Sequence, residues 1–207
     1  MTGEPTPMFP LGLVHFPHVY LPLQVFEPRY RQLTIDCLDA TREFGVVLIE
    51  RGSEVGGGDV RCNVATMTTI VEAGFDDRGL VRLDTVGVRR VHVLRWLEDD
   101  PYPRAVTEDL PPPEIGPDEL EAMEIAGRKV RRALALRAEL GEPAMPFDTE
   151  LDADPARAVF QLAAIAPLGP ADHQQLLATP APRDLLTTLA GLMDDELMVL
   201  ESRLSGG

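Results

Sequence analysis

The chain has 207 residues, of which 19 are basic and 34 acidic, and its formal net charge at pH 7 is −15. This length allows one large domain or two modest ones, and an apolar share of 44% is typical of a globular protein. Because so negative a chain repels phosphate backbones and anionic headgroups, we expect neither a nucleic-acid partner nor a membrane partner. The charge suits solubility, and it would also suit basic peptide partners.

The beginning of the sequence lacks the basic segment and long apolar run of a signal peptide, and no later stretch is apolar enough to predict a membrane span. The only cysteines, Cys37 and Cys62, do not have the number and spacing of a disulfide framework. Two cysteines without a leader favour a reducing compartment. The sequence therefore predicts a cytoplasmic protein.

Two short apolar runs followed by a helix start organise the N-terminal part of the chain. Residues 9–14 and 19–26 predict strands, and their prolines favour sheet edges, strand starts or bends, because proline donates no ladder hydrogen bond. Glu27 and Pro28 predict a helix start, where a proline loses no helical hydrogen bond and an acid meets the positive end of the dipole. An apolar helix face follows at Tyr30, Leu33, Cys37 and Leu38.

Four further runs have the length and β-branched content of strands, at residues 44–50, 61–75, 80–97 and 104–110. The first is apolar throughout, which predicts burial on both faces. In the third, Gly87 interrupts an apolar–polar alternation and predicts a β-bulge or a bend. Loops are predicted at the glycine-rich segment 51–59 and at the turn 76–79.

A proline-rich connector at residues 111–117 predicts a domain boundary. Beyond it the apolar pattern is helical, with helix starts at four prolines and with Leu120 and Leu204 on the apolar stripes. We expect a β-rich domain over residues 8–112 and an α-helical lobe over residues 113–207. The predicted fold class is α+β.

Three motifs in the N-terminal part resemble the substrate-binding domain found at the N-terminus of Lon proteases. They are Phe16-Pro17, Leu21-Pro22-Leu23 and Phe26-Glu27-Pro28-Arg29-Tyr30. Later segments match in part: residues 65–70 begin with alanine where the family has glycine, and residues 87–91 end with valine where it has an aromatic residue. The resemblance implies a PUA-like β pseudo-barrel of about six strands followed by an α-helical lobe. It also implies a free-standing member that lacks the ATPase and protease domains.

No known catalytic pattern is present, so we expect no enzyme and no cofactor. The glycine cluster is followed by Asp59 and not by the Gly-Lys-Ser/Thr of a phosphate loop. None of the serines, Ser53, Ser202 and Ser205, lies in a Gly-x-Ser-x-Gly turn, and Lys129 lies on a solvated helix face.

His15 and His18 form the only close histidine pair. Pro17 between them prevents the helical geometry that would let an i, i+3 pair chelate a metal. We interpret both as loop residues and predict no metal site.

The resemblance implies a non-catalytic module that binds unfolded or flexible polypeptide segments at an apolar surface and along an exposed strand edge. The candidate contact residues are Phe16, Tyr20, Arg29, Arg90 and Trp96. Each aromatic has an alternative reading as a core residue. Arg29 has an alternative reading as a brace that pairs with Glu27 at the strand-to-helix corner.

Three other functions stay open from sequence alone. One is a scaffold for a fixed folded partner. Another is RNA binding, which PUA-like barrels include and which the negative charge disfavours. The third is an unrecognised hydrolase that uses Ser53 or Lys129. Self-association into a homo-oligomer, through strand edges or the last helix, also stays open.

Overall fold

The computed structural model describes residues 5–52, 58–76 and 80–205, and these residues form six strands and five helices. The strands are β1 (Thr6–Leu11), β2 (Tyr20–Val25), β3 (Glu43–Arg51), β4 (Val60–Phe75), β5 (Val81–Trp96) and β6 (Arg104–Asp109). The helices are α1 (Pro28–Asp39), α2 (Pro117–Glu139), α3 (Pro155–Ile165), α4 (Pro170–Ala178) and α5 (Pro182–Ser205). This order confirms the predicted α+β class. The chain divides into two compact units, Met1–Pro111 and Pro112–Gly207.

The six strands form one mixed sheet that closes on itself, as the resemblance implies. Their order is β2-β5-β4-β3-β1-β6, and β5 pairs with β6 as well. The first half of β5 pairs with β2 and its second half with β6, so the long β5 strand links the closed ring to the edge strand β2. Only β1 and β3 run parallel among these pairs.

The prolines of β1 do not place it at a sheet edge, since it lies between β3 and β6. The N–H of Met8 donates to the carbonyl of Pro103 at 2.8 Å, on the side away from β3. The direction of the backbone N–H repeats every two residues in a strand, so the nitrogen of Pro10 points to the same side as that of Met8. The strand on that side is β6, which pairs with β1 only at Thr6 and Pro7. Pro10 therefore removes no ladder hydrogen bond.

Two apolar cores share the strand β3, which is buried on both faces as predicted. Phe44 and Val46 face the first core, in which α1 packs on the sheet through Tyr30, Leu33 and Cys37, and in which the rings of Phe9 and Tyr30 stack with centroids 4.2 Å apart. Val47 faces a second core. Its other buried members are Met8, Ala65, Met67, Val91, Val93 and Ala105.

A strap formed by residues 15–18 crosses β4 and β5 and is tied to both. The Thr66 hydroxyl donates to the His15 carbonyl at 2.6 Å, and the His18 N–H donates to the Gly87 carbonyl at 2.8 Å. The register of β4 and β5 shifts at this point and leaves Val88 as an extra residue, so the predicted β-bulge is confirmed. A Cβ on residue 87 would lie 2.3 Å from the Phe16 carbonyl oxygen, which explains the glycine.

His15 is the first residue of this strap, and its side chain is buried. Its Nε2 atom has no hydrogen-bond partner among the residues described. Burial penalises the charged imidazolium and lowers the pKa of His15 to about 4. The neutral imidazole is therefore the form that the folded protein holds at neutral pH.

The helical unit is held together mainly by the two long helices α2 and α5. Their buried side chains include Val130, Ala133, Leu134, Leu189 and Met193. Three ion pairs also join them: Lys129–Asp194 at 2.6 Å, Arg137–Glu196 at 3.0 Å and Arg132–Glu201 at 3.7 Å. Leu120 and Leu204, placed on apolar stripes by the sequence, are exposed because each lies in a terminal turn of its helix.

Parts of both predicted loops, the glycine cluster and the 76–79 turn, lie outside the described residues. None of the helices in the described part of the chain combines the length and apolar content that crossing a bilayer requires.

We expect the substitution Gly87→Ala to lower the free energy of unfolding by about 2 kcal/mol, because the strap must shift to admit a methyl group. Urea denaturation at constant pH measures the change. Gly74→Ala is the matched control, since a Cβ there meets nothing within 4 Å. An unchanged midpoint for Gly87→Ala would contradict the assigned contact.

We expect the free energy of unfolding to fall as pH decreases from about 6.5 to about 4, because the unfolded chain protonates His15 before the folded one does. Over that window His15 accounts for a loss of about 3 kcal/mol. The loss is complete at pH values below the pKa of His15 in the folded chain, and it is absent above the pKa of His15 in the unfolded chain. Denaturation of the wild type and His15→Gln across this range isolates the effect. Parallel pH profiles would refute it.

Candidate functional site

The five residues predicted to contact a ligand do not form one surface. Phe16 is 1% exposed and Arg90 is 4% exposed. Tyr20 lies on β2 opposite Val86 of β5, whereas Trp96 ends β5 ten residues further on, at most about 33 Å along the strand. Phe16 and Arg90 are buried in this structure, which leaves three dispersed candidates.

Arg90 holds the segment that follows β6. One terminal guanidinium nitrogen donates to the Pro111 carbonyl at 3.4 Å, and the Arg90 carbonyl accepts the Leu110 N–H at 3.0 Å. Burial lowers the pKa of Arg90, because desolvation disfavours the charged guanidinium. These contacts assign Arg90 a structural position at the start of the proline-rich connector.

The three remaining candidates are half-buried or exposed. The Nε of Arg29 donates to the Glu27 carboxylate at 3.0 Å, which is the brace that the alternative reading predicted, and its guanidinium lies 4.5 Å from the centre of the Tyr30 ring. Tyr20 is exposed and its hydroxyl donates to Asp84, a hydrogen bond that raises the pKa of Tyr20.

Trp96 is half-buried against the second core. The guanidinium of Arg61 lies 4.8 Å from the centre of its ring, and Arg61 also donates to Asp99 at 2.7 Å. One face of the indole is therefore already occupied by a cation within the same unit.

An open apolar groove lies between α1 and the end of the β4–β5 pair, and we call it the α1 groove. Its helix wall carries Pro28, Arg31, Gln32 and Ile35, and its strand wall carries Phe75 and Val81. Val81 is buried and pairs with Phe75 on one side and with Val25 on the other, so it forms the floor.

The α1 groove exposes large apolar side chains. Phe75 is 58% exposed and Ile35 is 43% exposed. Neither side chain is part of either apolar core. Contiguous apolar surface of this kind commonly marks an interaction site.

Arg31 supplies positive charge to the same groove. It is half-buried, and its buried Nε atom has no hydrogen-bond partner in the ranges the structure covers. The carboxylate of Asp36, also on α1, is occupied, since it accepts from Gln32 and from the Tyr102 hydroxyl, each at 2.7 Å. The guanidinium of Arg31 therefore lies beside apolar surface, and the Asp36 carboxylate does not accept from it.

The sequence contains a signal for this groove that a search for one apolar stripe misses. Pro28, Arg31, Gln32 and Ile35 have the spacing i, i+3, i+4, i+7, which places them on a single helix face. That face differs from the one that packs on the sheet. Ile35 marks this second face, because it is a large apolar residue outside the buried stripe.

The candidate catalytic residues do not form a catalytic arrangement among the described residues. The ammonium of Lys129 donates to Asp194 at 2.6 Å and to the Ala190 carbonyl at 3.2 Å. The Ser205 hydroxyl donates to the Glu201 carbonyl at 2.8 Å, and Ser53 lies outside the described residues. In the same ranges, no group of three or more His, Cys, Asp or Glu side chains is arranged to hold a metal ion.

Comparison with known proteins gives the family. The sequence profile of the ATP-dependent protease La (LON) substrate-binding domain matches residues 5–195. The chain belongs to this family. The predicted relationship to the Lon substrate-binding domain is thereby confirmed.

Lon protease 1 from Herpetosiphon aurantiacus is 24% identical to this chain over 202 residues. The match covers 92% of this chain and 24% of that protease, so the chain spans about a quarter of its relative's length.

Two solved structures have the same fold as this Lon-family chain. A Lon N-terminal domain protein from Xanthomonas campestris has a TM-score of 0.66 and 24% identity, with 91% of this chain and 98% of that one covered. The N-terminal domain of a Mycobacterium avium complex Lon protease has a TM-score of 0.67 and 14% identity, with 93% and 99% covered. At these identities the likeness shows the fold.

We expect Arg90→Met to lower the free energy of unfolding by about 1–3 kcal/mol, because it removes the charge-assisted hydrogen bond that the guanidinium donates to the Pro111 carbonyl. Urea denaturation measures the change. Arg82→Met, at an exposed arginine of the same β5 strand, is the control and should change stability by no more than about 0.5 kcal/mol. Intact stability together with impaired polypeptide binding would instead favour Arg90 as a contact residue.

Proposed function

We propose that this chain binds unfolded or flexible polypeptide segments and does not cleave them, with the α1 groove as the contact surface. The observation that carries the proposal is the exposure of Phe75 and Ile35 beside a partly buried guanidinium. Membership of a family described as a substrate-binding domain supports it. The ammonium of Lys129 donates to the Asp194 carboxylate, which supports the absence of cleavage.

The groove suits an extended segment better than a large folded surface. Its floor and walls come from one face of α1 and the end of the β4–β5 pair, so it accommodates one or two side chains at a time. Phe75 and Ile35 are 58% and 43% exposed, so covering each contributes about half of the roughly 1.5–3 kcal/mol of full burial, before the costs of ordering the segment. Weak, reversible binding follows, which is appropriate for a module that must release its ligand.

The outer edge of β2 is a poorer surface for strand addition. The carbonyls of Val19 and Leu21 face β5, where they accept from the Gly87 N–H at 3.0 Å and from the Thr85 hydroxyl at 2.7 Å. Backbone groups alternate along a strand, so the even positions face outwards. Pro22 is one of them and lacks an N–H. The edge thus offers an interrupted row of donors, and we assign the binding to the groove.

We expect the double variant Ile35→Ser, Phe75→Ser to bind an unfolded polypeptide at least about tenfold more weakly, because it removes two apolar contacts. The probe is fluorescein-labelled α-lactalbumin that is reduced and carboxamidomethylated, and fluorescence anisotropy gives the Kd.

Leu94→Ser is the matched control for that experiment. Leu94 is 54% exposed on β5, outside the groove, so its removal should leave the Kd unchanged. Thermal unfolding checks that all variants are folded. Equal loss in Leu94→Ser, or no saturable binding by the wild type, would refute the proposal, and release of labelled fragments would refute the absence of cleavage.

A further inference from the structure

We propose that the α1 groove selects polypeptide segments in which one Asp or Glu side chain lies beside a large apolar residue, with Arg31 as the contact for the carboxylate. This inference rests on the proposed function and names the chemistry of its ligand. It is carried by the juxtaposition of Arg31 with Ile35 and Phe75 in one groove.

The state of Arg31 is the first step. Its Nε atom is withdrawn from water and has no hydrogen-bond partner among the residues that the structure describes. Its backbone N–H is used within the helix and donates to the Glu27 carbonyl at 3.0 Å. A desolvated donor without an acceptor is unfavourable, and more so when it is charged. An arriving carboxylate can accept from the terminal nitrogens of the same guanidinium and so offset part of that cost, whereas a neutral side chain offsets less of it.

The apolar frame around the guanidinium is the second step. Arg31 lies on the helix face between Pro28 and Ile35, and Phe75 exposes its ring from the opposite wall. A ligand that covers the two apolar side chains also excludes water from the guanidinium. Charge-assisted hydrogen bonds are stronger in such surroundings than in water. The acidic and the apolar group must therefore be neighbours in the ligand.

A side-chain carboxylate fits this groove better than a chain terminus. Terminal carboxylates are commonly held by several convergent backbone N–H groups. The first turn of α1 does not supply such a set at this wall, because Pro28 has no N–H and the N–H of Arg31 is engaged. The groove is also open, so the main chain of a ligand can continue past it.

A single acid suits the chain better than an acidic run. The net charge of −15 repels a strongly acidic segment at long range. One carboxylate placed against Arg31 gains the local contact with little of that repulsion. The expected ligand is therefore a mainly apolar segment with one acid.

The test uses short fluorescein-labelled peptides, acetylated and amidated at their ends, that carry Leu-Phe-Glu or Leu-Phe-Gln in a Gly/Ser host. We expect the Glu peptide to bind the full wild-type chain about tenfold more tightly than the Gln peptide. Arg31→Gln should abolish this difference, mainly by weakening the binding of the Glu peptide to about that of the Gln peptide. Arg82→Gln, which removes an exposed cation on β5, should retain the preference.

The outcomes separate the two proposals. Equal affinities of the Glu and Gln peptides for the wild type, with weaker binding still seen in Ile35→Ser, Phe75→Ser, would overturn the role of Arg31 and leave the proposed function standing. Absence of saturable binding by every peptide and by unfolded α-lactalbumin would overturn the function itself. Tight binding of a Gln peptide with a free C-terminal carboxylate would overturn the assignment to a side chain.

Discussion

The packing of α1 on the sheet is the interaction on which the rest of the β unit depends. Tyr30, Leu33 and Cys37 fill the first core from the helix side, and Phe9 stacks on Tyr30 from β1. A helix buried along one stripe leaves its other faces for other uses. Because the stripe is fixed by these contacts, the face that carries Arg31 and Ile35 has a fixed direction too, and it meets the end of the β4–β5 pair. Core packing and the groove are thus two results of one docking geometry.

The groove also has a definite energetic meaning. Large apolar side chains left in water forgo about 1.5–3 kcal/mol each, which is a sizeable fraction of the stability of a domain. Phe75 and Ile35 are about half exposed in the unbound chain, so each forgoes about half of that contribution. The half-buried guanidinium of Arg31 adds an unmet hydrogen-bonding requirement. A segment that covers all three recovers these contributions together, whereas a purely polar or a purely acidic segment recovers only a part.

Much of the architecture could be predicted from sequence, because it rests on local signals. A proline at a helix start predicts α1, and a continuous apolar run predicts β3. A glycine that breaks an apolar–polar alternation predicts the bulge at Gly87, and the structure contains all three features. The position of β1 could not be predicted in this way. Its prolines are tolerated inside the sheet because β6 stops pairing before Pro10, and the extent of pairing depends on strands almost a hundred residues apart.

The binding surface was harder to predict than the fold, and the reason is physical. Residue type alone does not say which side chains face water, so Phe16 and Arg90 were plausible contacts by sequence, whereas the structure buries both. The groove requires a helix face and a strand end to meet, and Phe75 is forty residues from Ile35 in sequence. Only the helical half of the site had a periodic signal.

The residues that carry the family resemblance mainly build the scaffold. Tyr30 packs in the core, and Gly87 admits the strap. Arg31, Ile35 and Phe75 lie outside those motifs. A protein can therefore match the motifs closely, keep this fold, and present a different groove. Ligand preference in this chain should follow from the three groove residues, and the family motifs should govern whether the groove is formed at all.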